Sequence, residues 1–155
     1  MARSVTTTLT ERQERLPVTV GRYKGNVEVI SMAPKIVYSS IPYEEVYRKL
    51  CEEAHSGAYT SYIRGKRCKT EDDFFREISA SFQFPDYFGE NWAAFDECIC
   101  DLEWLNFKRI FVVVDDFSKT FNGNAELQKL LVKYLLCAID YWESENISFE
   151  IMLNN

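Results

Sequence analysis

Between residues 71 and 105 the chain carries ten carboxylates (Glu71, Asp72, Asp73, Glu77, Asp86, Glu90, Asp96, Glu97, Asp101 and Glu103) against one basic residue, Arg76. A block of one sign inside a well-patterned segment makes a local field of its own. Any single acid in it is most simply a solvated helix face; the concentration asks for more. A second acidic pair, Asp115-Asp116, closes the apolar run Ile110–Val114. Together with Asp96 and Glu97 it could form the oxygen-ligand cluster of a metal-dependent phosphohydrolase, since the carboxyl end of a parallel strand is a common place for such a site. The other chemistry open to clustered carboxylates is recognition of a cationic partner.

Other catalytic equipment is sparse. His55 is the sole histidine, so a histidine-based triad has little support. Cys98-Ile-Cys100 has no matching second pair and does not read as a zinc site. No phosphate-binding glycine loop of either common pattern occurs. The sequence therefore implies no cofactor and, outside the four-acid alternative, no metal. Five cysteines with no secretion signal before them read as reduced thiols of a cytoplasmic protein.

At 155 residues, 46% of them hydrophobic and 15% aromatic, the chain has enough for one packed core with an appendage. A net charge of -6 argues against direct nucleic-acid binding, which needs cations to displace counterions from phosphates. No apolar run approaches the length of a membrane span. Charge is uneven: residues 1–70 hold twelve basic and seven acidic side chains, the reverse of the block that follows.

The elements that must position the acids follow from periodicity. Residues 1–16 read as a polar tail. Val18–Val20 and Asn26–Ser31 around Gly21-Arg-Tyr-Lys-Gly25 suggest a hairpin. Lys35–Tyr38 is a short strand, and Pro42 opens a helix that Gly57 ends. Tyr59–Arg64 is a strand. Thr70 and Asp73 form a variant capping box for a helix burying Phe74, Phe75, Ile78 and Phe82. Pro85 and Gly89 bracket a loop, and Asn91 caps the next helix. On that helix Trp92, Phe95, Ile99 and Leu102 form a buried stripe. Glu90, Ala93, Ala94, Glu97, Cys100 and Asp101 lie opposite, flanked by Asp96 and Glu103. The two alanines leave the carboxylates on a low ridge, next to the loop aromatics Tyr87 and Phe88. Ile110–Val114 reads as a strand covered on both faces. A turn at Ser118–Phe121, a long helix from Ala125 to about Glu145 and a strand at Ser148–Leu153 complete the order. Such alternation predicts an α/β fold with a small parallel sheet.

The block Phe84-Pro-Asp-Tyr-Phe-Gly-Glu-Asn-Trp-Ala-Ala-Phe-Asp-Glu-Cys-Ile-Cys-Asp-Leu-Glu-Trp-Leu105 resembles the signature of the barstar family of ribonuclease inhibitors, and the element order agrees over about residues 59–153. The resemblance implies a small three- to four-stranded parallel sheet packed by helices, with residues 1–58 as an N-terminal extension to a domain at 59–155. It implies a non-enzymatic antitoxin or immunity protein whose acidic helix and aromatic loop plug the basic active-site cleft of a ribonuclease toxin. Tyr87 falls at the loop aromatic that meets the enzyme, and Asn91 at the start of the inhibitory helix. Glu97 falls at the aspartate that enters the catalytic pocket, and Asp96 at a tryptophan. Ala93 stands where a contact aspartate is usual; Asp101 and Glu103 are near enough to compensate, and a different target enzyme is the alternative. For the acid of the long helix, an ungapped match reaches Tyr141, between Asp140 and Glu143. Cys98 matches one of the family's paired cysteines, and Ile147 stands at the other. The expected partner surface is thus Tyr87, Gly89, Asn91, Ala93, Asp96, Glu97, Cys100 and Asp101. A third possibility is a plain protein-interaction module built by the first 58 residues, whose basic balance could hold an acidic face.

Overall fold

The structure, a computed structural model, describes residues 35–155. The polar tail and the hairpin expected over residues 18–31 lie outside the described residues. Four strands, β1 (Ile36–Ser39), β2 (Ala58–Arg64), β3 (Arg109–Asp115) and β4 (Ser148–Asn154), form one sheet in the order β1-β4-β3-β2. Every neighbouring pair is parallel. Among the described residues the α-helices are α1 (Tyr43–His55), α2 (Glu71–Phe82), α3 (Trp92–Ile99) and α4 (Ala125–Ser144).

The run Ile110–Val114 dictates the centre. All five residues are buried, because alternate side chains of β3 point to opposite faces and both faces are covered. On one face Phe111 and Val113 pack with Met152 and Val46 of α1, joined by Tyr62, Ile41 and Leu50. On the other, α2 packs on β2 and α4 on β4. The Tyr59 hydroxyl donates to the Ser81 carbonyl of α2 at 2.6 Å, and Ser61 and Ser81 share a hydrogen bond of the same length. Lys35 pairs with Glu143 and Arg109 with Glu53, tying strand starts to helix ends.

Helix boundaries follow local chemistry. Pro42 starts α1, its carbonyl accepting from the Glu45 and Val46 amides, and Gly57 leaves it at φ 90°. The Thr70–Asp73 capping box forms with both bonds present. The Asn91 side chain accepts from the Ala94 amide and opens α3; Asn124 does the same for α4. One expectation fails: α3 ends at Ile99, not near Leu102. Leu102 turns to φ 49°, in the left-handed region, and so buries its side chain from a turn instead of a helix. The stretch after β3 is also more irregular than a turn at Ser118–Phe121. A distorted 3-10 path runs from Phe117 to Gly123, with Thr120, Phe121 and Asn122 outside helical geometry.

Two loops at the carboxyl edge of the sheet are fixed to each other. A Cβ on Gly65 would stand 2.5 Å from the Asp115 carbonyl oxygen, so only glycine fits there. The Phe121 amide donates to the Cys68 carbonyl at 2.7 Å.

Candidate functional site

Helix α3 and its loop sit on an aromatic floor. Trp92 stacks on Tyr134 of α4 at 5.2 Å and on Phe74 of α2 at 5.7 Å, and its indole donates to Glu71. Phe95 and Ile99 are fully buried, and the Trp142 indole donates to the Ile99 carbonyl at 2.8 Å. Phe88 turns inward, meeting Phe84 at 4.9 Å and Phe75 at 6.0 Å edge-on. Its neighbour Tyr87 turns outward and is 68% exposed. The loop is braced from both ends. Gln83 ends α2 at φ 53°, with its amide and that of Phe84 reaching the Ser79 carbonyl. The Asn91 amide group donates to the Gly89 carbonyl at 3.0 Å.

Above this floor the sequence-derived residues distribute as follows. Tyr87, Gly89, Asn91, Ala93 and Glu97 are exposed. Cys100 and Asp101 are half-buried, Asp101 in the turn beyond the helix. Asp96 is half-buried too, but it faces Tyr134 of α4, whose phenol it helps to push up after burial. It therefore lies to the side of the ridge that Glu97 and Ala93 present.

The electrostatics mark out one surface. The Tyr87 phenol is held above its ordinary value, first by local loss of hydration and then by Asp101 and Glu103, with a smaller push from Asp86. Tyr141 of α4 is raised by burial and then by Glu145, Asp101 and Glu103. The Cys98 thiol is raised by burial, Asp101 and Glu97, which keeps it protonated and inert at neutral pH. Tyr87, Glu97, Asp101 and Glu103 thus share a field with Tyr141 and Glu145. Among the described residues, none of Asp86, Glu90, Glu97, Asp101 or Glu103 is in an ion pair, although acids elsewhere commonly are. Sequence reasoning counted Asp86 in the acidic block but left it out of the partner surface, and it missed Glu145. Asp86 lies in a loop and Glu145 beyond the end of α4, so no helical wheel brings either to the ridge. Of the acids near Tyr141, Glu143 is engaged by Lys35.

The four-carboxylate metal cluster is not formed. Asp115 points to the α1 side of the sheet, where its oxygens accept from the Tyr62 hydroxyl at 2.7 Å and the Asn154 amide at 2.8 Å. Burial alone would raise its pKa; these two bonds, with the Asp116 amide and the nearby Lys66 charge, outweigh it and hold the carboxyl below the usual range. Asp116 takes the Lys119 ammonium, while Asp96 and Glu97 belong to α3 on the opposite face. Among the described residues no three His, Cys, Asp or Glu side chains are placed to hold a metal ion. His55 is exposed, its Nδ1 paired with the Cys51 carbonyl at 2.6 Å, and Cys68 is buried with its thiol pushed up to about 12, chiefly by burial. Cys68 is therefore not equipped as a nucleophile. No helix among the described residues is long and apolar enough to cross a membrane.

Comparison with known protein families gives a match. A family model described as Barstar (barnase inhibitor) covers residues 58–154, from the start of β2 to the end of β4. No curated protein matches the chain. The matched segment contains the loop, α3 and the whole of the acidic surface, and the family it defines consists of inhibitors and not of enzymes. With the four-stranded α/β architecture already described and that match over well beyond half its length, the chain belongs to the barstar family.

Proposed function

We propose that this protein inhibits a ribonuclease toxin, as an antitoxin or immunity protein, by lodging α3 and its preceding loop in the enzyme's cationic active-site cleft. The observation that carries the reading is the set of carboxylates around Tyr87, most of them exposed, that have no ion pair among the described residues. A ribonuclease cleft must be cationic, because it binds phosphate and stabilises a transition state with charge spread over phosphoryl oxygens. A carboxylate on a braced helix can take the place of that phosphate and pair with the same arginine and lysine donors. Glu97 is the residue that enters. Ala93, exposed one turn before it, keeps the approach low, and Tyr87 supplies a flat anchor beside it. Glutamate carries one methylene more than aspartate, so the target pocket is deeper or wider than one shaped for an aspartate.

Opposite fields also speed the encounter, which suits a protein that must silence an enzyme before it reaches RNA. The test is co-purification with a candidate target, a nuclease with a basic active-site cleft, wild type against Glu97→Lys. Charge reversal should abolish the complex and leave the far-ultraviolet circular dichroism unchanged. Retention of the complex would place the contact elsewhere. Truncation to Ala should weaken binding by about 2–5 kcal/mol, as losing one partner of a desolvated charge pair does.

A further inference from the structure

Two cavities open at the carboxyl edge of the sheet and share Lys66. Neither includes a residue of the acidic ridge. The first, of about 410 Å³, is lined by Lys66, Lys69, Ser118, Lys119, Asn122 and Gly123. Three ammonium groups and two neutral polar side chains surround it, and no carboxylate is in its wall. The second, of about 540 Å³, has Tyr43, Tyr62, Arg64 and Asn154 among its walls. Of its two acids, Asp116 is paired with Lys119, while Asp115 accepts from Tyr62 and Asn154 and keeps a charge that attracts Lys66.

The lysines rise from a fixed frame. Gly65 lies against the Asp115 and Asp116 carbonyls, and the Phe121 amide bonds to Cys68. The Gln128 side chain donates to the carbonyls of Ser118 and Thr120, each at 3.1 Å. Asp116, Phe121 and Asn122 all hold left-handed backbone without being glycine. Strain of that kind persists only where the surroundings enforce it. Among the described residues Lys66 and Lys69 are in no ion pair, although the Asp115 carboxylate lies close enough to attract Lys66, so two like charges face one cavity whose own wall holds no carboxylate. Next door, the Tyr43 ring is 56% exposed and lies edge-on to Tyr62 at 6.1 Å, offering a flat face.

We infer that this edge binds a small phosphate-bearing ligand of the nucleotide class, with its phosphate on Lys66 and Lys69 and its planar base against Tyr43. Ser118 and Asn122 supply hydrogen bonds to the phosphate oxygens. The ligand is compact and not a nucleic-acid strand. A net charge of -6 repels a long polyanion. Carboxyl ends of parallel strands are where open α/β sheets present such crevices. The inference is independent of the proposed inhibition, since the two surfaces share no residue.

Calorimetric titration of the full chain at low ionic strength tests it, with pyrophosphate, adenosine monophosphate and a ten-nucleotide adenosine strand as probes. Saturable one-to-one binding of pyrophosphate and the mononucleotide is expected. Replacing Lys66 and Lys69 together by Ala should weaken both at least about tenfold, as loss of charge-assisted bonds to phosphate does, without moving the thermal melt. Tyr43→Ala should leave pyrophosphate untouched and weaken the mononucleotide by roughly tenfold, the scale of one base-stacking contact. Three outcomes overturn the inference: no saturable binding of any probe, binding that survives the double lysine change, or a strand that binds more tightly than the mononucleotide.

Discussion

Replacing Glu97 by lysine should make the free protein more stable while destroying its complex. Glu97 sits in the last turn of α3, where the helix carries no basic residue and its dipole presents negative charge. An acid there opposes the dipole, and a cation in its place is favourable by about 0.3–1 kcal/mol. Asp101 lies four residues on, and both carboxylates bear on the same Cys98 thiol, so they share a neighbourhood. Relieving a like-charge contact of this kind adds about 0.2–0.5 kcal/mol. Glu97 makes no ion pair among the described residues and is exposed, so nothing of comparable size is lost. The sum is a gain of roughly 0.5–1.5 kcal/mol, or a few degrees in melting temperature for a domain of this size. Urea unfolding followed by circular dichroism reads the stability, and calorimetric titration against the target nuclease reads the complex. A variant that is less stable than wild type would refute the electrostatic account of the free ridge. One that gains stability and still binds would refute the role given to Glu97. Only the combination of gain and loss fits a surface kept at some cost to the fold for a partner's sake.

The other expectations are simpler. Tyr87→Ala should leave the urea midpoint unchanged and weaken nuclease binding. Phe88→Ala, which removes a ring packed on Phe84 and Phe75, should lower stability by about 2–4 kcal/mol, a cost typical of emptying an aromatic site. Gly65→Ala forces a Cβ to within 2.5 Å of the Asp115 carbonyl and should cost at least about 2 kcal/mol in urea unfolding, as overpacking against backbone does. Asp115 is held below its ordinary pKa in the folded state. Its contribution is therefore present above the unfolded value of roughly 3.9 and fades as pH falls through the lower folded value. Asp115→Asn should destabilise at pH 7, and the difference from wild type should shrink in acid; a gap that widens below pH 4 would reverse the sign and the argument.

Local rules carried a good part of this structure. Ile110–Val114 is legible as a central strand because an unbroken β-branched run has no polar side to give to water. Thr70 and Asn91 are legible as caps because their side chains satisfy amides that the helix leaves bare. The stripe Trp92, Phe95, Ile99 gives the buried face of α3, and with it the exposed face. Its fourth member misled: Leu102 is buried, yet periodicity cannot tell a helical residue from one folded back by a left-handed turn. The approach of Tyr141 and Glu145 to Asp101 is a tertiary event, set by how α4 lies beside α3, and no spacing records it. The same holds for Asp115-Asp116. Adjacent in sequence, they pair with different partners, because Asp115 ends a strand and Asp116 turns to φ 50°. Asp96 could not be told from Glu97 by charge; which of the two faces Tyr134 depends on a helix rotation fixed by the aromatic floor.

The sheet order β1-β4-β3-β2 sets translation against architecture. The strand made after the other three slots between two of them, pairing Ile36 with Ile151 and Ile110 with Phe149. Until it emerges from the ribosome, β1 has no neighbour to bond among the described strands, and α4 has no strand of its own to cover. Contacts that join residues so far apart in the chain close slowly, because loop entropy must be overcome before they reward it. A nascent chain halted anywhere before Ser148 is therefore half a sheet with an exposed seam, prone to capture by chaperones or proteases. Supply of the finished molecule is governed by a late, all-or-nothing closure.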